Sequence, residues 1–441
     1  MTAIDDLNKG WTIKRFEELF AEPQRNGIYK TKEFHGRGQK IINMGELFGY
    51  DFISDQEMKR VELTPKELEK SLVKDGDLLF ARRSLVLEGS GKCSLVVRPS
   101  EDTTFESSII RTRLDKNEAE PKFYYYLFRS PLGRALMSSI ATQTAVSGIT
   151  GSNLVQLRVP HPPLPIQRKI AAILSAYDDL IENNTRRIEI LEEMARSIYR
   201  EWFVKFRFPG HEQVQMVDSA LGLIPEGWEV ISLGQLLDIK HGYAFKGEYF
   251  SKEPTSDILL TPGNFKFGGG FKDDKLKYYD GSVPKEFVLN PGDLLVTMTD
   301  LSKEGDTLGY PAFVPPSKEL RFLHNQRLGK ISLHNPKLGF NHLYHIFCSD
   351  SYRHHVLASA TGSTVKHTAP DRIKSFSIAL PTQEICKRFE MITSSLTRKI
   401  VLLNQKNANL RLTRDLLLPR LISGEIDLEE INIEVYNAEN N

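Results

Sequence analysis

The sequence predicts an α+β protein in which two duplicated α+β domains are separated by two long antiparallel coiled-coil helices, a dumbbell. Three observations predict it. One apolar stripe at helical spacing runs far longer than a compact domain needs. A second stripe of the same kind lies near the C-terminal end. Ahead of the two stripes a series of matched residues recurs at one constant offset, Leu127 before the first and Ile346 before the second for example lying 219 positions apart. At 441 residues the chain is also too long for a single core.

The first domain, residues 1–165, opens at Gly10 with GWTIKRFEELF, an aromatic-anchored amphipathic turn. β-leaning runs broken by Gly, Asn and Pro follow: IINMGELFGYDF, GDLLFARRSL, KCSLVVRP and SSIIRTRL. The helical segment KFYYYLFRSPLGRALMSSI leads through a polar loop from Gln143 to Asn153 into the strand-like LVQLRVPHP. From Ile166 to Phe208 the apolar positions Ile173, Tyr177, Leu180, Ile188, Leu191, Ala195, Ile198 and Trp202 recur in steps of three and four. Asn184 fills the one polar slot of that series. Prolines just before it and Pro209-Gly210 just after it mark its ends. At ~1.5 Å per residue this helix, residues 166–208, spans roughly 60 Å and requires a partner helix.

A linker and second domain, residues 209–381, then repeat the order of features. Gly10-Trp11 answers Gly227-Trp228, and Gly76-Asp77-Leu78-Leu79 answers Gly292-Asp293-Leu294-Leu295. Tyr125, Phe128, Ser130 and Arg134 answer Tyr344, Phe347, Ser349 and Arg353 at the offset of 219, as Pro162 answers Pro381. A gapless offset over this distance argues for duplication. The duplication predicts a second long helix, and residues 382–424 supply it, with Asn407 in its stripe. Pro419 is expected to kink or end it, and Gly424 to cap it. Because the first helix leaves domain one and the second leaves domain two, a side-by-side pair must run antiparallel. Residues 425–441 read as a polar terminal extension.

Two weakly similar domains, each opening on Gly-Trp, each containing Gly-Asp-Leu-Leu and each feeding a long helix from a Pro-rich strand, resemble the specificity (S) subunit of Type I restriction–modification systems. The stretches PLPIQRKIAAILSAYDDLIENN, EEMARSIYREWFVKFRFPG, LGLIPEGWEV and RDLLLPRLISGEIDL carry the resemblance most specifically. It implies that each globular domain is a target recognition domain reading one half of a bipartite site in double-stranded DNA, with the helices as a ruler between them. It also implies assembly with two methyltransferase (M) subunits, which carry S-adenosylmethionine and methylate adenine, and with restriction (R) subunits, which use ATP and Mg. No cofactor is expected on this chain, which would itself catalyse nothing.

The residues agree with a binder. His161-Pro162-Pro163 lacks the amide or carboxylate and the aromatic that an adenine-holding motif needs, and no phosphate-cradling glycine loop or nuclease core stands out. Two other classes compete, a self-contained methyltransferase or nuclease with a degenerate motif and a coiled-coil adaptor that binds only proteins. Net charge is +1, so a nucleic-acid surface must be a local patch. Three scattered cysteines fit a reducing compartment without disulfides, and no apolar run is long enough for a membrane span. The N-terminus has no secretory pattern. The expected location is the cytoplasm.

Candidate DNA readers follow from side-chain chemistry. Arg82 and Arg83 end a β-run, and Arg is the best bidentate partner of guanine. The aligned segment in the second domain offers Thr297, Thr299 and Asp300 for thymine or cytosine edges. Asn325, Gln326 and Arg327 concentrate base-reading types, and the matched loops offer Gln143, Ser147 and Thr150 in one domain and Lys366 and His367 in the other. Asn184 and Asn407 read as register-setting polar residues in the seam. Tyr199, Trp202, Phe203 and Phe206 exceed what a two-helix seam needs and are expected to pack on the second domain or on an M subunit. Leu416, Leu417, Leu418 and Leu421 suggest a partner helix. Asp77 and Asp293 read as turn residues. Seven of the 11 histidines lie between His324 and His367, but His342, His345 and His355 align with Phe123, Tyr126 and Leu136. Packing is therefore expected there, and no metal.

Overall fold

The computed structural model describes residues 10–86, 89–142, 147–335 and 337–429. The chain divides into two compact units, Met1–Asn184 with Lys406–Asn441, and Thr185–Gln405.

In the first unit the central sheet has the strand order Phe20–Asn26, Ile109–Leu114, Leu78–Ala81, Cys93–Val96, Phe52–Ile53. In the second, one sheet has the order Leu237–His241, Leu328–Leu333, Leu294–Thr297, Pro311–Phe313. The order is the same through the first four positions. Ile109–Leu114 and Leu328–Leu333 stand 219 residues apart, as do Arg158–His161 and Ser377–Leu380, so the sequence repeat is a repeat of structure. Each Gly-Trp strand closes its unit by pairing antiparallel with the last strand, Thr12–Arg15 with Arg158–His161 and Glu229–Ser232 with Ser377–Leu380.

The Gly-Asp turns launch the central strands as their chemistry requires. Gly76 and Gly292 have φ of +88° and +85°, a left-handed conformation that favours glycine. Asp77 accepts from the Lys74 amide at 2.7 Å and Asp293 from the Asn290 amide at 2.8 Å. Each carboxylate also meets a cation from the neighbouring strand. Arg113 holds the fully buried Asp77 through two contacts of 2.7 Å, and Lys330 holds Asp293 at 2.6 Å. A buried carboxylate needs such a partner. The core of the first unit gathers around Phe16, whose ring meets Phe128 edge-on at 5.0 Å and Phe80 at 6.2 Å.

The first long helix runs Leu164–Tyr199, with one wider π turn at Arg200–Val204. It is shorter than the apolar pattern through Phe208 suggests. Phe206 takes a left-handed φ of +55° and breaks the spiral, and its ring then meets Trp228 at 5.4 Å. The second runs Gln383–Ile422 and passes through Pro419 without ending there. Pro419 lacks the N–H that would reach the carbonyl four residues back, yet the helix continues past it for a last turn, and the stop comes at Gly424 with φ of +74°. The stretch expected as a plain linker contains a hairpin, Met216–Ser219 with Gly222–Pro225. Residues 430–441 of the expected terminal extension lie outside the described residues.

Within the first unit the two helices run antiparallel. Asn184 donates to Asn407 at 2.9 Å, and one to two turns away Asp178 pairs with Arg414, so numbers fall on one helix as they rise on the other. Both asparagines are buried, in the seam slots their spacing predicts. No helix among the described residues is long and apolar enough to cross a membrane.

Candidate nucleic-acid interface

Loops that the sequence offers separately are joined in each unit as a short two-stranded ribbon. In the first unit the chain leaves strand Leu78–Ala81 and forms Arg83–Ser84, which pairs antiparallel with Ser147–Gly148, Ser84 facing Ser147. In the second unit it leaves Leu294–Thr297 and forms Thr299–Asp300, which pairs with Lys366–His367 in the same sense. Bridges Thr142–Gly148 and Thr361–His367, again 219 residues apart, sit beside the two ribbons. The candidates Arg82 and Arg83 are thereby brought to Ser147, and Thr299 and Asp300 to Lys366 and His367.

Exposure sorts these side chains. Arg83, Thr150, His367, Gln326 and Arg327 are exposed, and Arg82 and Lys366 are half-buried. Gln143 lies outside the described residues. Thr150 spends its hydroxyl as a helix cap, accepting from the Asn153 amide at 3.1 Å.

Several expected readers are structural instead. Thr297 is fully buried and donates to the Thr307 carbonyl, so it is not available to a base. Thr299 is buried, with its hydroxyl 3.2 Å from His367 Nδ1. Asp300 is 4% exposed and accepts from the Ser302 amide at 2.6 Å and from the Thr307 amide and hydroxyl. Burial opposes its ionisation, but those hydrogen bonds from Thr307 and Ser302 more than offset burial and hold its carboxyl below the ordinary carboxylate range. Asn325 is buried and accepts from the Arg327 amide at 3.0 Å, which shapes the turn rather than presenting an amide to DNA. Ser147 is buried in its ribbon. These residues are singled out by side-chain type, and the burial of every position in Leu294–Thr297 and in Thr299–Asp300 leaves no alternation from which a solvent face could be read.

The aromatic group at the end of the first helix is accounted for within the second unit. Tyr199 stacks on His345 at 5.7 Å, Phe203 meets His342 at 4.2 Å and Phe389 at 4.8 Å, and Trp202 meets Phe389 at 6.0 Å. Of the four leucines offered as a partner surface, Leu418 and Leu421 are buried in the core of the first unit and Leu417 packs partly against it. Leu416 alone of the four is exposed, at 63%. His342 and His345 lie among rings, and burial pushes their pKa values down to about 3 and about 4. Among the described residues no three metal-ligating side chains cluster.

Sequence reasoning passed over the ribbon tips. Leu85 and Leu301 each follow the Gly of Gly-Asp-Leu-Leu by nine positions, and that shared register was the signal available.

The family described as Type I restriction modification DNA specificity domain matches residues 8–193 and again residues 225–412. The chain belongs to this family. It carries two copies of the specificity domain, and the two matches fall on the two halves of the structural repeat. It is 26% identical over 447 aligned residues to the Type I restriction enzyme MjaIX specificity subunit of Methanocaldococcus jannaschii, covering 98% of this chain and 96% of that one. It is 28% identical over 220 residues to the EcoKI specificity subunit of Escherichia coli, covering 47% of each chain. Its fold resembles the crystal structure of a Type I restriction-modification system S subunit from M. genitalium, with a TM-score of 0.55 at 17% identity over 96% of this chain and 98% of that one.

Proposed function

We propose that this chain is the DNA-reading subunit of a Type I restriction–modification complex, with residues 1–165 and 209–381 as target recognition domains that each read one half of a bipartite site. The twin ribbons carry the reading. The same short pairing recurs in both copies of the specificity domain but presents different side chains, Arg82 and Arg83 in one and Lys366 and His367 in the other. Arginine and lysine anchor phosphates, and arginine also reads guanine. Gln326 and Arg327 add exposed base-reading types in the second domain. The helical segments 166–208 and 382–424 act as the ruler, with Asn184 and Asn407 setting its register.

The chain works without chemistry of its own. Two M subunits supply S-adenosylmethionine and methylate adenine, and R subunits supply ATP- and Mg-dependent restriction. The purified chain is tested alone and with its M subunit on genomic DNA, reading methylated adenines. Methylation of one bipartite motif only when both are present supports the reading. Methylation or cleavage by the chain alone overturns it. Specific binding should weaken steeply as salt rises, because phosphate contacts release counterions.

A further inference from the structure

Both ribbons lead directly into an exposed leucine. Leu85 is 89% exposed and Leu301 is 64% exposed. Each is fixed by the same device, in which the side-chain oxygen of the preceding residue accepts the amide of the following one. Ser84 Oγ accepts from Val86 at 3.2 Å, and Asp300 Oδ1 accepts from Ser302 at 2.6 Å. Asp300 is itself anchored by Thr307, so the tip that carries Leu301 is held at both ends.

A single exposed leucine is ordinary. Here an apolar residue stands at the same register in both repeats while the ribbon around it changes: Arg83 becomes Thr299, Ser84 becomes Asp300, and Gly148 becomes His367. Each ribbon also carries a cation, the exposed Arg83 two positions before Leu85 and the half-buried Lys366 paired opposite Asp300, although the stretch around Leu301 holds Asp300, Glu304 and Asp306 as well. An exposed apolar tip on a ribbon that also carries a cation suits duplex DNA, the cation meeting phosphate and the apolar group meeting bases.

We propose that Leu85 and Leu301 are wedges, each pressed into the base stack of its own half-site so that one base step opens. This rests on the DNA-reading function proposed above and adds a contact that is tolerant of sequence, since any step can be unstacked, most easily a pyrimidine–purine one. It explains how the same residue serves two domains that read different bases.

The test uses the full chain with its M subunit and duplexes in which 2-aminopurine replaces adenine at successive positions of each half-site. The parent complex should brighten the probe at one step per half-site. Leu85→Ala should abolish the brightening in one half-site and weaken binding about tenfold, the worth of burying most of a leucine side chain. Leu301→Ala should do the same in the other half-site only. Both side chains are exposed, so neither change threatens folding. No brightening with the parent complex, or brightening that both variants keep, overturns the wedge. So does weaker binding with unchanged fluorescence, which would mark a groove contact such as one to a thymine methyl group. If the parent complex binds no specific site, the DNA-reading function itself fails.

Discussion

The two units hold their long helices by joints of opposite chemistry at matched positions. In the first, helix Pro121–Arg129 places Tyr126 Oη 2.5 Å from Asp178, whose other oxygen pairs with Arg414 of the second long helix. In the second, the equivalent helix Phe340–Phe347 presents His345 where Tyr126 stands and His342 where Phe123 stands, and both lodge among the rings of Tyr199, Phe203 and Phe389. One joint is a nearly buried ion pair, the other an aromatic cluster with neutral imidazoles. The comparison teaches that duplication preserves backbone and register while the contacts drift to another solution of the same packing problem.

The largest effect should come from breaking the ionic joint. Arg414→Met leaves Asp178 nearly buried without its cation and should cost the first unit about 3 kcal/mol. The loss should appear in denaturant unfolding or as faster hydrogen exchange in residues 121–184, and not in the second unit. Equal loss in both units would show that the joints are not separate.

Acid should distinguish the joints in the opposite direction. Burial lowers the pKa of His342 to about 3 and of His345 to about 4, and of His324 in the same unit to about 4. Between those values and the unfolded value near about 6.5, the unfolded chain binds more protons, so stability rises with pH. It is fully present above about pH 6.5 and is lost as pH falls through that window. His342→Phe, which restores the ring found at Phe123, should remove about 2 kcal/mol of the stability difference between pH 7 and pH 5. An unchanged pH profile would contradict the assignment of a neutral, buried imidazole.

A smaller effect is expected at the asparagine pair of the first unit. Asn184→Ala leaves Asn407 short of one partner and should cost about 1 kcal/mol. Replacing both with leucine should recover that loss and loosen register instead, since polar seam residues trade stability for alignment. Crosslinking of cysteines introduced at neighbouring exposed seam positions would report the slippage.

Much of this was legible in the chain. The offset of 219 located the second helix, the apolar stripe of that helix singled out Asn407, and the aligned aromatics already marked His342 and His345 as packing positions. The ribbons were not legible, because Ser84 and Ser147, or Thr299 and His367, pair across more than 60 residues in strands only two residues long. No local periodicity encodes such a pairing. Thr297 and Asp300 were misassigned for a related reason: their polar atoms suit bases, and only the fold shows that Thr307 and Ser302 already occupy them.

The central claim is that the two domains read DNA independently, and one exchange tests it most directly. Residues 1–165 are replaced by the corresponding domain of another family member, and methylated adenines are mapped in cells that also express the M subunit. The account predicts a motif altered in one half, with the other half and the spacing unchanged. Altered bases in both halves would contradict it.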